Sequence, residues 1–485
     1  MKTALVLAGG GAKGAFEAGA IRYLVEERGL VPDIITATSA GAVVAAVLAQ
    51  GRTLEELIEC SNQLRRNLLA LTHTRLLFAK QPWAEALAGT YFGRLLDTYL
   101  TEALRPPVPS LDSLASANGG PSRADSAARS AQAAEPRAAG SLEAGFGRRG
   151  LRGAVGLAVE IARVLPRIPW VLRGLRRDRS SILTLEPLGV ALRHGGPNGL
   201  LPIDPLRVAR PGLELRLAVT ALGAGVLRYV TQDGTIVESD AITPVAGSCG
   251  KVDLVEGVLA SASVPIVFPP RALGDDVYSD GGVLHNVPVK AAARLGAEEI
   301  IAVLAVPLAQ APSTHDFTKA SLVEVFLRTL GGIAFADRQV ANLRYPLPPS
   351  TQLTIVDPVT DIVGPFEVAP GLIAIDMDYG WLRAADVLTA LDEARRAALV
   401  RATETLVTAR ARAWYVEEQL WRAPGDQRAR LRELRQLKVL VKEALCVRDK
   451  EGLPAVPGAD AWWGGYEVHV AERPRWLPPE GSLLD

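Results

Sequence analysis

Three short segments of this chain contain residues whose types and spacing could carry out acyl transfer. They are residues 9–14 (GGGAKG), residues 37–41 (ATSAG) and residues 280–282 (DGG). A serine hydroxyl becomes a useful nucleophile when a neighbouring base accepts its proton. The negative charge that then develops on the substrate needs fixed hydrogen-bond donors. Ser39, Asp280 and the glycine segment could supply these functions, and together they predict a serine hydrolase.

The glycine segment follows the apolar residues 4–8 and precedes apolar residues at helical spacing from Ala15 onward. This pattern predicts a buried strand, a glycine turn and a helix. Such a turn directs several backbone N–H groups and the positive end of the helix dipole at one position. We therefore predict an oxyanion hole formed by Gly9, Gly10, Gly11, Ala12, Lys13 and Gly14. Lys13 could hold an anionic substrate or the oxyanion, or it could be a solvated charge that caps the loop.

The second segment predicts a nucleophile elbow. Residues 33–37 are typical of a short strand, and residues 42–49 form a helical run of small and apolar residues, so Ser39 lies at the tip between them. A G-x-S-x-G elbow needs small residues two places before and after the serine, because strand and helix approach closely there. Ala37 and Gly41 occupy these positions, and Ala37 stands where the motif has glycine.

The third segment predicts the base. A D-G-G turn taken alone is typical of any tight turn, because Asp and Gly both favour turns. In combination with the other two segments, Asp280 followed by Gly281 and Gly282 supplies a carboxylate that can accept the serine proton. His285 lies five residues further on. It could complete a Ser-His-Asp triad or be a polar loop residue, and we favour the loop residue.

These motifs, in this order, resemble those of the patatin-like phospholipases, which carry G-G-G-x-[KR]-G, G-x-S-x-G and D-G-[GA]. Residues 259–265 (LASASVP) with residues 268–270 (FPP) resemble the block that precedes D-G-G in that family. The similarity covers roughly residues 3–110 and 180–310. It implies a three-layer α/β/α fold with a largely parallel sheet and a dyad of Ser39 and Asp280 without histidine. It also implies a lipid ester substrate such as a phospholipid, with no metal or cofactor required.

Composition limits the classes of protein that are possible. The chain has 485 residues, a formal net charge of zero and 48% hydrophobic residues, so it can bury a large core and has no overall charge that would attract nucleic acid. No apolar stretch approaches the roughly 18 residues of a membrane span. The three cysteines lack the spacing of a metal site or a disulfide framework. We expect a cytoplasmic protein without a transmembrane anchor.

Changes in composition divide the chain. We assign residues 1–110 and 180–310 to the catalytic domain and residues 311–485 to a mainly helical C-terminal region. Residues 111–150, rich in Ala, Ser, Gly and Arg, predict a disordered insertion. Residues 151–179 carry seven arginines against two acidic residues, with Trp170 among apolar residues. This basic segment could contact an anionic membrane surface or pack on the protein, and we favour membrane contact.

Other functions use the same motifs. A thioesterase or an acyltransferase would share the acyl-enzyme and differ in the substrate or the acceptor. A phosphate-binding loop is disfavoured because the residue after Lys13 is Gly14 and not the Ser or Thr that binds magnesium in a P-loop. A non-catalytic, membrane-associated scaffold is disfavoured because all three motifs keep their reactive residues. No feature of the sequence predicts an oligomeric state.

Overall fold

The computed structural model describes residues 1–86, 181–197, 200–246, 250–308, 333–422 and 427–456, with a few single positions at 106–114 and 317–329. The basic segment 151–179 lies outside the described residues. The same holds for the insertion 111–150, apart from Leu111 and Leu114. The predictions of disorder and of membrane contact therefore fall outside the part of the chain that the structure describes.

The strands are β1 (Thr3–Leu7), β2 (Ile34–Ala37), β3 (Ala79–Lys80), β4 (Leu183–Thr184), β5 (Glu214–Ala221), β6 (Val226–Thr231), β7 (Ile236–Val237), β8 (Arg271–Leu273), β9 (Asp276–Asp280), β10 (Glu299–Val303) and β11 (Gln352–Val356). The helices are α1 (Gly14–Glu26), α2 (Ala40–Leu48), α3 (Leu54–Leu69), α4 (Pro82–Glu85), α5 (Glu186–His194), α6 (Pro205–Val208), α7 (Leu254–Ser261), α8 (Val289–Arg294), α9 (Ala334–Leu343), α10 (Pro370–Leu388), α11 (Glu393–Arg422) and α12 (Gln427–Lys450).

The main sheet is parallel over strands β11, β10, β1, β2 and β5, in that order. Leu5 and Leu7 of β1 lie in a core with α1, α2 and α10, whereas Ala4 and Val6 lie in a second core with α8. Alternate side chains of one strand thus point to opposite faces, and both faces are covered by helices. This arrangement confirms the predicted α/β fold.

Strand β9 runs antiparallel to β5 and brings the third motif to the first two. One edge of β5 pairs with β2 up to Leu217, and the same edge pairs with β9 from Val219 onward. The other edge of β5 pairs with β6. Because β2 and β9 approach from opposite directions along one edge, the end of each strand meets the end of the other. Ser39 follows the end of β2, and Asp280, the last residue of β9, is paired with Val219.

The region after residue 310 contributes one strand to the sheet as well as helices. Strand β11 pairs in parallel with β10 from Glu299↔Gln352 to Val303↔Val356. Helix α10 packs along α1, and α11 and α12 pack against each other, with α11 also against α10. The described residues contain no helix that is both long enough and apolar enough to cross a bilayer.

Candidate active site

Ser39 lies at a strained strand-to-helix turn. Its φ of 55° and ψ of −123° belong to a region that non-glycine residues rarely occupy. The Ser39 amide donates to the hydroxyl of Ser261 at 3.0 Å, which fixes this backbone. A Cβ atom on Gly41 would lie 2.6 Å from the carbonyl oxygen of Ala8, so only glycine fits where α2 passes β1. Ala37 is fully buried in the core, so the turn accommodates its extra methyl group.

The carboxyl group of Asp280 is buried beside this turn. Its backbone is held by two bonds, from its amide to the carbonyl of Ser263 at 2.9 Å and from the hydroxyl of Thr220 to its carbonyl at 2.9 Å. The Gly282 amide donates to Oδ1 at 2.6 Å. Burial raises the pKa of Asp280 to about 6, against the lowering effects of the Ser39 hydroxyl and the Gly282 amide. A carboxyl with this pKa can act as a base near neutral pH.

The two side chains face each other without a tight hydrogen bond. Oδ2 of Asp280 is buried and makes no hydrogen bond of ordinary geometry in the described chain. The Ser39 hydroxyl is nevertheless close enough to lower the pKa of that carboxyl. Hydrogen bonds in substrate-free active sites are often long and tighten when the substrate binds. The structure thus brings together the nucleophile and the base that the sequence predicts.

The glycine loop presents two backbone amides that have no acceptor in the described part of the chain, those of Gly10 and Gly11. The amide of Gly9 instead donates to Oδ1 of Asn286 at 3.1 Å, and that of Ala12 donates to the carbonyl of Pro365 at 2.8 Å. The amide of Gly14 closes the 3-10 turn of residues 11–13. Of the six residues of the predicted oxyanion hole, Gly10 and Gly11 are therefore candidate donors, whereas the amides of Gly9, Ala12 and Gly14 already have acceptors. Gly11 adopts a φ of +65°, which favours glycine.

A third candidate donor is the amide of Ala40, the first residue of α2. It has no acceptor within the described residues, as expected for the first turn of a helix. In serine hydrolases with an elbow, the amide after the nucleophile commonly contributes to the oxyanion hole. The sequence signal was available, because the position follows Ser39 directly.

Lys13 forms a salt bridge with Asp361 and is not a free cation. The distance from its Nζ to Oδ1 is 2.7 Å, and the lysine side chain is only 12% exposed. The buried Asp376 of α10 lies near this pair. Burial is the main cause of the raised pKa of Asp376. The charge of Lys13 lowers this pKa, and the charge of Asp361 raises it further. The solvated charge that the sequence allowed for Lys13 is thus replaced by a paired one.

His285 occupies the loop after the D-G-G turn. Its carbonyl accepts from the hydroxyl of Thr38 at 3.0 Å, and its amide donates to the carbonyl of Gly281 at 2.7 Å. Its buried Nδ1 has no hydrogen-bond partner among the described residues. Burial, together with Lys290 and Arg338, lowers its pKa, which favours a neutral ring. Within the described chain, neither Ser39 nor Asp280 bonds to this ring.

Asn286 links the glycine loop to the base turn, a role that the motifs did not indicate. Its side chain accepts from the Gly9 amide at 3.1 Å and donates to the Gly9 carbonyl at 3.3 Å. The side chain of Asn286 also donates to Oε1 of Gln339 in α9 at 2.9 Å, and its backbone N–H donates to Oδ1 of Asn342 at 2.9 Å. In the sequence, Asn286 is only a polar residue between His285 and Val287, four residues after the D-G-G motif.

A strained serine beside a buried carboxyl, where strands β2 and β9 of a largely parallel sheet end, is an arrangement suited to serine acyl transfer. Residues 5–293, more than half of the chain, match the family model for patatin-like phospholipases. The chain therefore belongs to the patatin-like phospholipase family, whose members hydrolyse lipid acyl esters. Among solved structures, VipD from Legionella pneumophila is similar at 15% identity with a TM-score of 0.32, covering 99% of this chain and 89% of VipD. A search of curated proteins gave no match.

Proposed function

We propose that this protein hydrolyses fatty acyl esters of lipids through a dyad of Ser39 and Asp280. The observation that carries the proposal is the strained Ser39 facing a buried carboxyl whose pKa lies near 6. Membership of a family of lipid acyl hydrolases supports the substrate class. A phospholipid or lysophospholipid is the substrate that the proposal favours.

The first step forms an acyl-enzyme. Oγ of Ser39 attacks the ester carbonyl carbon while its proton passes to Oδ2 of Asp280, the oxygen that Gly282 leaves unoccupied. The carbonyl oxygen becomes an oxyanion that the amides of Gly10 and Gly11 can bind, with Ala40 as a third candidate donor. When the tetrahedral intermediate collapses, the C–O bond to the leaving alcohol breaks, and the proton on Asp280 passes to that alcohol.

The second step releases the fatty acid. Asp280 accepts a proton from a water molecule, and the water oxygen attacks the acyl carbon. The bond to Oγ of Ser39 then breaks, and the proton returns to the serine. No metal or cofactor takes part in this scheme. A thioester substrate or an alcohol acceptor would pass through the same acyl-enzyme, so thioesterase and acyltransferase activities are the alternatives that use this site.

A serine-reactive fluorophosphonate probe together with a panel of lipid esters and acyl thioesters tests the proposal. The wild-type chain should bind the probe covalently at Ser39 and release fatty acid from a phospholipid or lysophospholipid. Ser39→Ala and Asp280→Asn should each lower turnover by a factor of about 1,000 or more. His285→Ala is the control and should keep most of the activity.

Three results would count against parts of the proposal. A loss in a folded His285→Ala variant as large as that in Ser39→Ala would replace the dyad by a triad. Turnover of thioesters alone would replace lipid ester hydrolysis by thioesterase activity. If Ser39 does not react with the probe and no ester is cleaved, the protein is a non-catalytic member of the family.

The membrane contact is a separate part of the proposal. Phospholipids are held in aggregates, so the enzyme must adsorb to the lipid surface before a lipid can enter the site. The basic segment 151–179, with seven arginines and Trp170, has the composition of a segment that binds an anionic membrane surface. We therefore propose peripheral association with an anionic membrane through this segment.

A further inference from the structure

The linker between β11 and α10, residues 357–369, lies against the glycine loop. The carbonyl of Pro365 accepts the Ala12 amide at 2.8 Å. A Cβ atom on Gly11 would lie 2.3 Å from the same carbonyl oxygen. The linker therefore contacts Gly11 and Ala12, the two residues after Gly10, and these contacts fix the direction of the loop backbone.

Two carboxyl groups extend this contact along the start of α1. Asp361 of the linker holds Lys13 at 2.7 Å. Asp376 of α10 accepts the amide of Phe16 at 3.1 Å from a buried position, which satisfies one of the N–H groups that open α1. Contacts from the C-terminal region thus fall on Ala12, Lys13 and Phe16, immediately after the proposed oxyanion donors.

Helix α10 is itself fixed tightly to α1. A Cβ atom on Gly19 would lie 1.7 Å from the carbonyl oxygen of Met377, and one on Gly380 would lie 1.8 Å from that of Phe16. The two backbones approach so closely that only glycine fits at these positions. The rings of Phe16 and Tyr379 also pack edge to face, with centroids 5.2 Å apart.

The linker is fastened at its other end to α10 and α11. The Tyr379 hydroxyl accepts the amide of Val359 at 2.7 Å and hydrogen bonds to the buried carboxyl of Glu404. Arg383 donates to the carbonyl of Asp357 at 2.9 Å. The glycine loop is thereby connected to helices α10 and α11, which lie after residue 293, the end of the family match.

We propose that residues 357–376 are a positioning element for the oxyanion loop, with Asp361 and Asp376 as its positioning residues. A loop of glycines has many backbone conformations, and oxyanion donors act only if their direction is fixed before the reaction. The contacts to Ala12, Lys13 and Phe16 supply that constraint from outside the family match. The consequence for catalysis rests on the proposed function, whereas the constraint on the loop does not.

Hydrogen exchange of the full chain, followed by mass spectrometry, tests the constraint without any need for activity. Asp376→Ala and Asp361→Ala should each speed exchange in peptides covering residues 8–16 by about tenfold or more. The matched control is Glu26→Gln, which removes the 2.9 Å salt bridge between Arg22 and Glu26 at the other end of α1. This control should leave exchange in residues 8–16 unchanged.

Kinetics with a short soluble ester tests the effect on the reaction. Asp361→Ala and Asp376→Ala should lower kcat on the order of 10-fold to 100-fold with little change in KM, because misdirected donors weaken only the transition state. Asp376→Asn should restore most of kcat, because a carboxamide oxygen can still accept the Phe16 amide. The double variant Lys13→Gln/Asp361→Asn should have a kcat no lower than that of either single variant, because the two residues act as a pair.

The two measurements separate this inference from the proposed function. If loop exchange is unchanged in variants that melt like the wild type, the inference is wrong whatever the activity. If exchange increases and the wild type cleaves no ester, the positioning element stands and the proposed function fails. If Asp376→Ala does not fold, Asp361→Ala decides, since Asp361 is partly exposed. A rise in KM without a fall in kcat would show that the linker affects substrate binding, and would overturn its proposed effect on the oxyanion donors.

Discussion

The Gly282 amide donates a 2.6 Å hydrogen bond to Oδ1 of Asp280, so the base is oriented by the glycine turn that directly follows it. Gly282, the second glycine of the D-G-G motif, therefore orients the carboxyl group: because its amide binds Oδ1, Oδ2 is the oxygen available to Ser39. The sheet places Ser39 next to this carboxyl group, because β2 and β9 meet along one edge of β5.

The activity should depend on pH through Asp280. Burial raises the pKa of this carboxyl from 3.8 to about 6, and only the ionised form can accept the serine proton. For a short soluble ester, kcat/KM should therefore fall about tenfold per pH unit below pH 6 and level off above it. A pH profile at constant ionic strength measures the midpoint. A midpoint near 4 would show that burial does not tune this base.

Asp280→Asn should make the inactive protein more stable at alkaline pH. The folded state has the higher pKa, so the cost of ionising the buried carboxyl begins above pH 3.8 and is complete above about pH 6. Removing the charge should then add up to about 3 kcal/mol to the free energy of unfolding at pH 8 and almost nothing at pH 4.

Urea unfolding of both proteins at the two pH values checks this gain. Asp240→Asn is the control with the opposite sign: hydrogen bonds from Thr243 and Ile242 lower the pKa of this partly exposed carboxyl, so this substitution should lower the free energy of unfolding. A gain for Asp280→Asn that is equal at pH 4 and pH 8 would contradict the electrostatic explanation.

Gly11→Ala should damage catalysis much more than the same change at Gly274. Both glycines have a positive φ, +65° and +61°, so both substitutions strain the backbone in a similar way. The new methyl group would press against the Pro365 carbonyl at Gly11 but would meet nothing within 4 Å at Gly274. We expect kcat to fall about 100-fold or more for Gly11→Ala, the scale for losing one oxyanion donor. Comparable turnover in the two variants would remove the loop from the mechanism.

Deletion of the basic segment 151–179 should reduce activity on anionic vesicles much more than on a nitrophenyl butyrate ester. Only the vesicle substrate requires adsorption to an interface, where Trp170 can insert and the arginines can meet anionic head groups. Sedimentation with vesicles should show that adsorption of the full chain weakens as salt increases. Equal losses on the two substrates would show that this segment packs on the enzyme and does not bind the membrane.

Local sequence was sufficient to predict the parts of the site that depend on a single short segment of the chain. A strand, a small-residue turn and a helix were predicted around Ser39, and the structure has β2, a Ser39 with φ of 55° and α2 in that order. The α/β class was predictable because apolar strands alternate with helical patterns. These features follow from steric and hydrophobic rules that act over a few residues, so the residue types encode them directly.

Tertiary structure decided which residues meet. The antiparallel course of β9, which places Asp280 beside Ser39, depends on pairing with β5 sixty residues away and has no local signature. The same holds for the Pro365 carbonyl that engages Ala12, the Asp361 that neutralises Lys13 and the Asn286 that occupies the Gly9 amide. The sequence determined the reactive groups, whereas long-range packing determined which backbone amides and charges stay free to act, because hydrogen bonds between distant segments form only when the chain is folded.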